Sequence, residues 1–454
     1  MNAYDIDDKR DLSPLYIEHI HRQQTLAERL CQRFDLDYLL IASGTLVRHF
    51  ADDRTFSFKV NPFFKQWLPL TEHSDSYLLV VPGQKPTLFL HQPDDIWEQW
   101  PDLTHCDWSS EATLISIFTV VPIKQKKVIT SYLAATKKAG GSGAFIGPKQ
   151  CLHSDWLIER INDELVLAFM QYHRRVKSSY EIHCIYKANL AAAPGHRRAL
   201  QLFLEGASEA EIFWAYLAAN AITEYDNPYS PIIGINEHSA ILHYRQKSTV
   251  HPASGSRSLL IDAGASFAGY ASDITRTYSY KNDDFADLIR QFDQLQQGLV
   301  SQIEVGMTQA ELYKISYQEI ANFMRSNQLI NCSAEQAIET KLVDEFYPHG
   351  LGHLLGLQVH DVGGAFGDER GAKLARDSCS HSQRKRPIES GMVFTVEPGF
   401  YFIEKKLDTL QAGSFSGLVN WKRVNLFRPY GGIRIEDNVA VIGEDVVNFT
   451  RTAL

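Results

Sequence analysis

Ser258-Leu-Leu-Ile-Asp262-Ala-Gly264 is an apolar run of strand length that ends in an acid followed by glycine. A second acid follows in Ala271-Ser-Asp273-Ile-Thr-Arg-Thr277. A tight turn at Phe267-Ala268 sets position 266 against 269, and the same register sets Asp262 against Asp273. Directly opposed residues on paired strands have Cβ atoms about 5 Å apart. Two carboxylates that close repel each other, and either a divalent cation or a shared proton relieves them. For this pair alone, an offset register with both acids in water is an equally good reading.

Working outward, Tyr347-Pro-His349-Gly-Leu-Gly-His353-Leu-Leu-Gly-Leu-Gln-Val-His360-Asp361 places three histidines within twelve residues. Gly350, Gly352 and Gly356 disfavour a helix, so the stretch reads as a loop running into a strand. Glycines beside histidines let backbone approach a ligand closely. In Gly391-Met-Val-Phe-Thr395-Val-Glu397-Pro-Gly399 a β-rich run ends in an acid at a Pro-Gly turn, and Thr395 and Glu397 share a face. In Gly431-Gly-Ile433-Arg434-Ile435-Glu436-Asp437, alternation puts the isoleucines on the core face and Arg434 and Glu436 on the other. Each acid taken singly is an ordinary strand end. Together, Asp262, Asp273, Glu397 and Glu436, with His353 between them in sequence, would balance two divalent cations. A mostly oxygen set with one imidazole favours a hard ion such as Mn²⁺ over a thiolate-bound zinc. Two such ions about 3.5–4 Å apart can bridge and deprotonate a water and polarise a carbonyl, the apparatus of a two-metal hydrolase.

The order Asp…Asp…His…Glu…Glu and the motifs LLIDAG, SDITRT, HGLGH, TVEPG and GGIRIED resemble the pita-bread metallopeptidases over most of residues 180–445. That family includes methionine aminopeptidase, aminopeptidase P and prolidase. Phe50-Ala-Asp52-Asp53-Arg-Thr-Phe-Ser-Phe-Lys-Val-Asn-Pro62 and Trp67-Leu-Pro69 are similar to the bacterial Xaa-Pro dipeptidases (prolidases), a group that also holds organophosphorus acid anhydrolases. The resemblance implies that Asp262 holds one metal, that Asp273 and Glu436 bridge or ligate both, and that His353 and Glu397 complete the set. It implies that Glu397 shuttles a proton to the leaving nitrogen. His243 would lie near the substrate, and His349 and His360 at the scissile carbonyl and its developing oxyanion. Arg434 would bind the substrate's C-terminal carboxylate, which its planar fork suits. Tyr229 and Val359 match positions of a small substrate pocket, and Asp53 an acid that reaches a neighbouring subunit's site in a homodimer. Phe56-Ser57 departs from the Tyr-Pro of the relatives.

The whole chain agrees with such an enzyme. It has 454 residues, 44% hydrophobic and 22% charged, with 24 Phe, 20 Tyr and 7 Trp, which excludes a disordered or collagen-like chain. A net charge of −9 argues against a nucleic-acid partner bound by a broadly basic surface. No apolar run is long enough to cross a bilayer, and MNAYDIDDKRDL has four acids and no apolar signal region. Cys31, Cys106, Cys151, Cys184, Cys332 and Cys379 are scattered without a CxxC, which suits a reducing cytoplasm. Ser13 is a fair N-cap with Pro14 as first helical residue, and Tyr16, Ile20, Ala27, Leu30 and Phe34 follow at helical spacing. Short apolar runs at 38–42, 77–81, 87–90, 114–121 and 143–146 read as strands or buried segments. Ser178 with Glu181, and Ser208 with Glu211, fit capping boxes. The polar stretch 367–387 reads as a solvated loop, and Arg384-Lys385-Arg386 within it as no nucleic-acid patch.

These readings predict an α/β chain with a creatinase/prolidase-like domain over 1–172 and a pita-bread catalytic domain over 173–454. The expected reaction is hydrolysis of the imide bond of Xaa-Pro dipeptides by a hydroxide bridging two divalent metals, with organophosphate hydrolysis as a side activity. The proline nitrogen has no hydrogen to donate, so a dedicated pocket must recognise this bond. The expected setting is a cytoplasmic homodimer, with neither membrane nor nucleic acid as partner. Three alternatives compete: an aminopeptidase P acting on longer Xaa-Pro peptides, a pita-bread module that binds without catalysis, and a mononuclear iron oxygenase, which the surplus of acids disfavours.

Overall fold

Local signals set several element ends. In the computed structural model, Ser178 and Glu181 exchange side-chain to backbone hydrogen bonds at the start of the helix Ser179–Leu204, and Ser208 and Glu211 do the same for Glu209–Ala219. The residues described are 11–94, 103, 111–223, 226–252, 255–374 and 386–454. Cys106, Cys379, Arg384, Lys385 and most of the polar stretch 367–387 lie outside them. The first helix, Ser13–Phe34, begins one residue before the predicted start. Leu12 has helical backbone angles and is buried, so Ser13 is the first helical residue, and its N–H donates to Asp11 Oδ1 at 2.9 Å.

The first half builds a six-stranded sheet from β1 (Tyr38–Ala42), β2 (Tyr77–Val80), β3 (Thr87–His91), β4 (Thr119–Ile123), β5 (Gly143–Ile146) and β6 (Arg160–Ile161). Their order is β4-β3-β2-β1-β5-β6, antiparallel at β1–β2 and β2–β3 and parallel elsewhere. The apolar run at 114–121 divides. Leu114 and Phe118, one helical turn apart, are both buried, and the helix Glu111–Ile117 gives way to a strand only at Thr119.

The second half contributes β7 (Ile232–Ile235), β8 (Ser258–Asp262), β9 (Ser266–Phe267), β10 (Tyr270–Ala271), β11 (Thr275–Ser279), β12 (Val393–Val396), β13 (Gly399–Tyr401), β14 (Gly432–Arg434), β15 (Asp437–Ile442) and β16 (Asp445–Asn448). They form antiparallel sheets β11-β8-β7, β12-β15-β16, β13-β14 and β9-β10. Helices 179–204 and 209–219 cover β7 and β8 through Phe203, Ile212 and Tyr216. Helices Asp284–Ser301 and Gln309–Ser326 cover β12 and β15 through Phe292, Ile320 and Met324. Single bridges at Thr275–Glu436 and Leu354–Phe394 join sheet edges and loop, and both bridges lie beside predicted ligands.

The β9–β10 hairpin corrects the predicted register. Its turn residues are Ala268 and Gly269, with φ of +50° and +82°, so Phe267 pairs with Tyr270. Hairpin turns with both central residues in the left-handed region match the twist of the flanking strands. The pairing therefore moves by two residues, and Asp262 faces Thr275 rather than Asp273.

The two halves share one interior. Leu12, Tyr16 and Trp67 belong to the same buried cluster as Tyr180, Ile185, Leu355 and Leu357. Polar contacts fasten the seam: His19 lies 2.8 Å from Ser178 Oγ and 2.7 Å from the Gln66 carbonyl, and Lys65 Nζ donates to the carbonyls of Gly269 and Leu357 at 3.0 and 3.1 Å.

Candidate metal centre

Five chain segments deliver the predicted ligands to one place. Asp262 ends β8, Asp273 lies between β10 and β11, His353 sits in the glycine-rich loop, Glu397 follows β12, and Glu436 joins β14 to β15. All five line a single cavity of about 590 Å³, together with His243, His349, His360 and Arg434. Ligand atoms of Asp273, His353 and Glu436 lie within 4.8 Å of one another. His353 Nε2 is 3.4 Å from Asp273 Oδ2 and 3.5 Å from Glu397 Oε1. Asp262 and Asp273, though not opposed in register, are joined by the Tyr229 hydroxyl, 2.8 Å from Asp262 Oδ1 and 2.5 Å from Asp273 Oδ1.

Close backbone approach makes this convergence possible. A Cβ on Gly264 would lie 2.0 Å from the Ser272 carbonyl oxygen, and one on Gly352 would lie 2.0 Å from that of Thr395. Any side chain there would push Asp273 or His353 out of place.

The electrostatics are those of buried like charges. Burial pushes Asp262 up, against the opposing Arg434. Burial, then Asp273, Glu397 and Asp262, push Glu436 well above the carboxylate range. Glu397 is pushed up to about 7, chiefly by burial, with His353 opposing and Asp273 adding. Burial acts on Asp273 too, but the hydrogen bond and charge of His353, with the Tyr229 hydroxyl and His360 adding, together hold Asp273 low. Burial opposes charge on His353, yet Asp273 and Glu397 lift it to about 9. The group titrates as a unit, in which one carboxylate pairs with the imidazolium and the rest compete for protons. A cluster of this sign fits divalent cations, whose charge would replace those protons.

A second ring of residues fixes these groups. Thr275 Oγ1 donates to Glu436 Oε2 at 2.6 Å. Thr395 Oγ1 accepts from the His353 N–H at 3.0 Å and donates to Glu397 Oε1 at 3.3 Å. Asp361, next to His360, pairs with Arg174 and Lys177, and Asp437, next to Glu436, pairs with Arg276 and Arg451. Arg434, predicted on the face opposite the isoleucines, is there and is buried. Its Nη2 donates to Asp262 Oδ2 at 2.6 Å, Nη1 to Tyr401 Oη at 2.9 Å and Nε to Thr275 Oγ1 at 3.2 Å. His349 Nε2 also lies 2.9 Å from Tyr401 Oη, and the His360 ring packs 4.2 Å from that of His353.

Some predicted residues stand elsewhere. Tyr229 lies behind the carboxylates. Val359 packs against the shared interior and does not line the cavity. Asp53 is exposed on a first-half loop beside the fully exposed Phe50 and lines no part of this chain's cavity. Sequence reasoning missed Tyr401 and Thr275. Thr275 opens β11 and is set against Asp262 and Glu436 by strand pairing, which no local pattern announces. Tyr401 carries no local signal either, because only the pairing of Gly399 with Arg434 brings it alongside.

Residues 183–442 match the family model described as metallopeptidase family M24. The chain belongs to family M24. Residues 14–172 of this M24 chain match the model described as Xaa-Pro dipeptidase, N-terminal domain. It is 41% identical to Xaa-Pro dipeptidase 1 of Idiomarina loihiensis, over 98% of this chain and 96% of that one. It is 39% identical to the Xaa-Pro dipeptidase of Colwellia psychrerythraea, over 97% of each. Among solved structures it resembles zinc-substituted Escherichia coli aminopeptidase P in complex with product, with a TM-score of 0.70 at 20% identity, covering 96% of this chain and 95% of that one. The M24 half has the pita-bread fold, and the chain is a hydrolase of the metallopeptidase class.

Proposed function

We propose that this chain is a metal-dependent Xaa-Pro dipeptidase that hydrolyses the bond between the first residue and proline. The observation that carries the reading is the meeting of Asp262, Asp273, His353, Glu397 and Glu436 in one cavity. Similarity to Xaa-Pro dipeptidases along nearly the whole chain supports the substrate class. Asp262, Asp273, His353, Glu397 and Glu436 would hold two divalent cations, and Mn²⁺ suits so oxygen-rich a set. When bound, these ions supply Lewis acidity that makes water a nucleophile near neutral pH and polarises a carbonyl.

The remaining chemistry belongs to the side chains. Glu397, lifted to about 7, is matched to accept the proton of the attacking water and return it to the leaving proline nitrogen. His349 and His360 face the cavity as donors to the carbonyl oxygen as it gains charge. Burial and the neighbouring His353 hold His360 low, so it serves as a neutral donor. His243 lines the wall where substrate would lie, and Arg434 has N–H groups left over for a substrate carboxylate. Asp53 would act in the cavity of a second copy, making the working form a dimer. The catalytic unit would begin at residue 173, and the cytoplasm is the setting its scattered cysteines suit.

The test strips the enzyme with chelator, restores Mn²⁺, Zn²⁺ or Co²⁺ in turn, and compares Ala-Pro with a tripeptide beginning Ala-Pro. Dipeptide hydrolysis that returns with metal supports the reading. Release from the tripeptide alone would make the chain an aminopeptidase P, and no turnover with any metal would make it a binding module. Asp273→Asn should lose bound metal by elemental analysis together with activity.

A further inference from the structure

Glu209 is the first residue of the helix Glu209–Ala219, yet its side chain turns inward and the residue is only 2% exposed. Four donors reach its carboxylate. Oε1 accepts from the Ile235 N–H at 2.9 Å and from His238 Nδ1 at 2.7 Å. Oε2 accepts from the Tyr244 hydroxyl and from the Ser248 N–H, each at 2.8 Å. Every donor comes from one stretch, 235–248. That stretch leaves β7, makes a short turn of 3-10 helix at Asn236–Ala240, and then runs on with neither helix nor strand. A segment without a hydrogen-bonded ladder must find other partners for its backbone, and here one buried carboxylate takes the N–H groups at both ends of it, those of Ile235 and Ser248.

The same stretch carries Leu242 and His243 to the wall of the metal cavity. Tyr244, the residue after His243, is clamped twice: its hydroxyl is held by Glu209, and its ring stacks on His238 with centroids 4.6 Å apart at 24°. We infer that Glu209 is a positioning residue, the fixed point from which Leu242 and His243 are set against the substrate. It touches neither metal ligand nor substrate and acts through Tyr244 and His238. The inference rests on the reading of the cavity as a peptide site.

The test compares Glu209→Gln and Tyr244→Phe in the metal-loaded full chain, each alone and combined with His243→Ala. An amide at 209 keeps the volume but sets an NH₂ against donors. Glu209→Gln should lower kcat/KM for Ala-Pro about tenfold, mostly through KM, and Tyr244→Phe about threefold. In the His243→Ala background, Glu209→Gln should change kcat/KM by less than threefold, because of the two groups it positions only the apolar Leu242 is left. An equal loss in both backgrounds would overturn the inference. Hydrogen exchange supplies an arm that needs no turnover. Amides of 236–250 should exchange at least tenfold faster in Glu209→Gln while those of 258–277 keep their rates. Uniform acceleration, or none, would overturn the positioning role. An inactive wild type would defeat the peptidase reading and leave the exchange arm to decide the loop.

Discussion

Arg434→Ala separates two duties that one guanidinium can perform. The side chain is buried, and its three nitrogens reach Asp262, Tyr401 and Thr275 at 2.6, 2.9 and 3.2 Å. Truncation leaves the buried Asp262 carboxylate with the shared Tyr229 hydroxyl as its partner. Removing one member of a buried, hydrogen-bonded pair costs about 3–5 kcal/mol. Unfolding entropy of about 2.1 cal/mol/K per residue gives a chain of this length about 1 kcal/mol/K, so the melting temperature in chelator should drop by roughly 3–5 °C. Divalent cations can neutralise Asp262 in place of the arginine, so saturating Mn²⁺ should recover at least half of that drop. Scanning fluorimetry in EDTA and in Mn²⁺ measures both. An unchanged melting temperature in EDTA, or an equal drop in the two conditions, would refute the pairing argument. The kinetic duty has its own readout. If Arg434 grips the substrate carboxylate, KM for Ala-Pro rises while Ala-Pro-amide is unaffected; a preference for the free acid kept in full would refute that grip.

Tyr229→Phe removes the proton shared by Asp262 and Asp273 and should weaken metal retention about 10–100-fold, measured by competition with a chelating dye. Asp361→Asn leaves Arg174 and Lys177, both with side chains 1% exposed, without their anion, and should cost about 3–5 kcal/mol in urea denaturation. A change within error would show that those charges find other partners. In chelator, stability should fall as pH rises. His353, lifted from 6.5 to about 9, contributes stability that is complete below about 6.5 and gone by about 9, and Glu397, lifted from 4.5 to about 7, loses its share between those values. Mn²⁺ should offset this fall, because ligation improves as the ligands deprotonate, and a melting temperature that rises across the range in chelator would contradict the assignment.

What the sequence disclosed follows the range of the forces involved. The capping boxes at Ser178 and Ser208 were legible because they close within three residues. The site acids were legible because a strand-end carboxylate two residues before a glycine is a local pattern, repeated at Asp262 and Glu397. The pairing of Asp262 was misplaced by two residues because the turn puts Ala268 at positive φ, where a sequence without Asn-Gly gives no warning. The helix at 111–117 hid because a buried helix face and a buried strand share one apolar run. Tyr401 and Glu209 stayed invisible for a different reason: their partners lie tens of residues away, and only tertiary packing brings them together.

A chain cut at residue 172 would leave Tyr180, Ile185, Leu355 and Leu357 facing water where Leu12, Tyr16 and Trp67 now cover them. Leu355 and Leu357 stand between His353 and His360, so the segment that bears both histidines is cast against the amino-terminal half. A carboxy-terminal fragment transplanted without that half would keep every side chain of the candidate metal centre and lose the mould that shapes one of them.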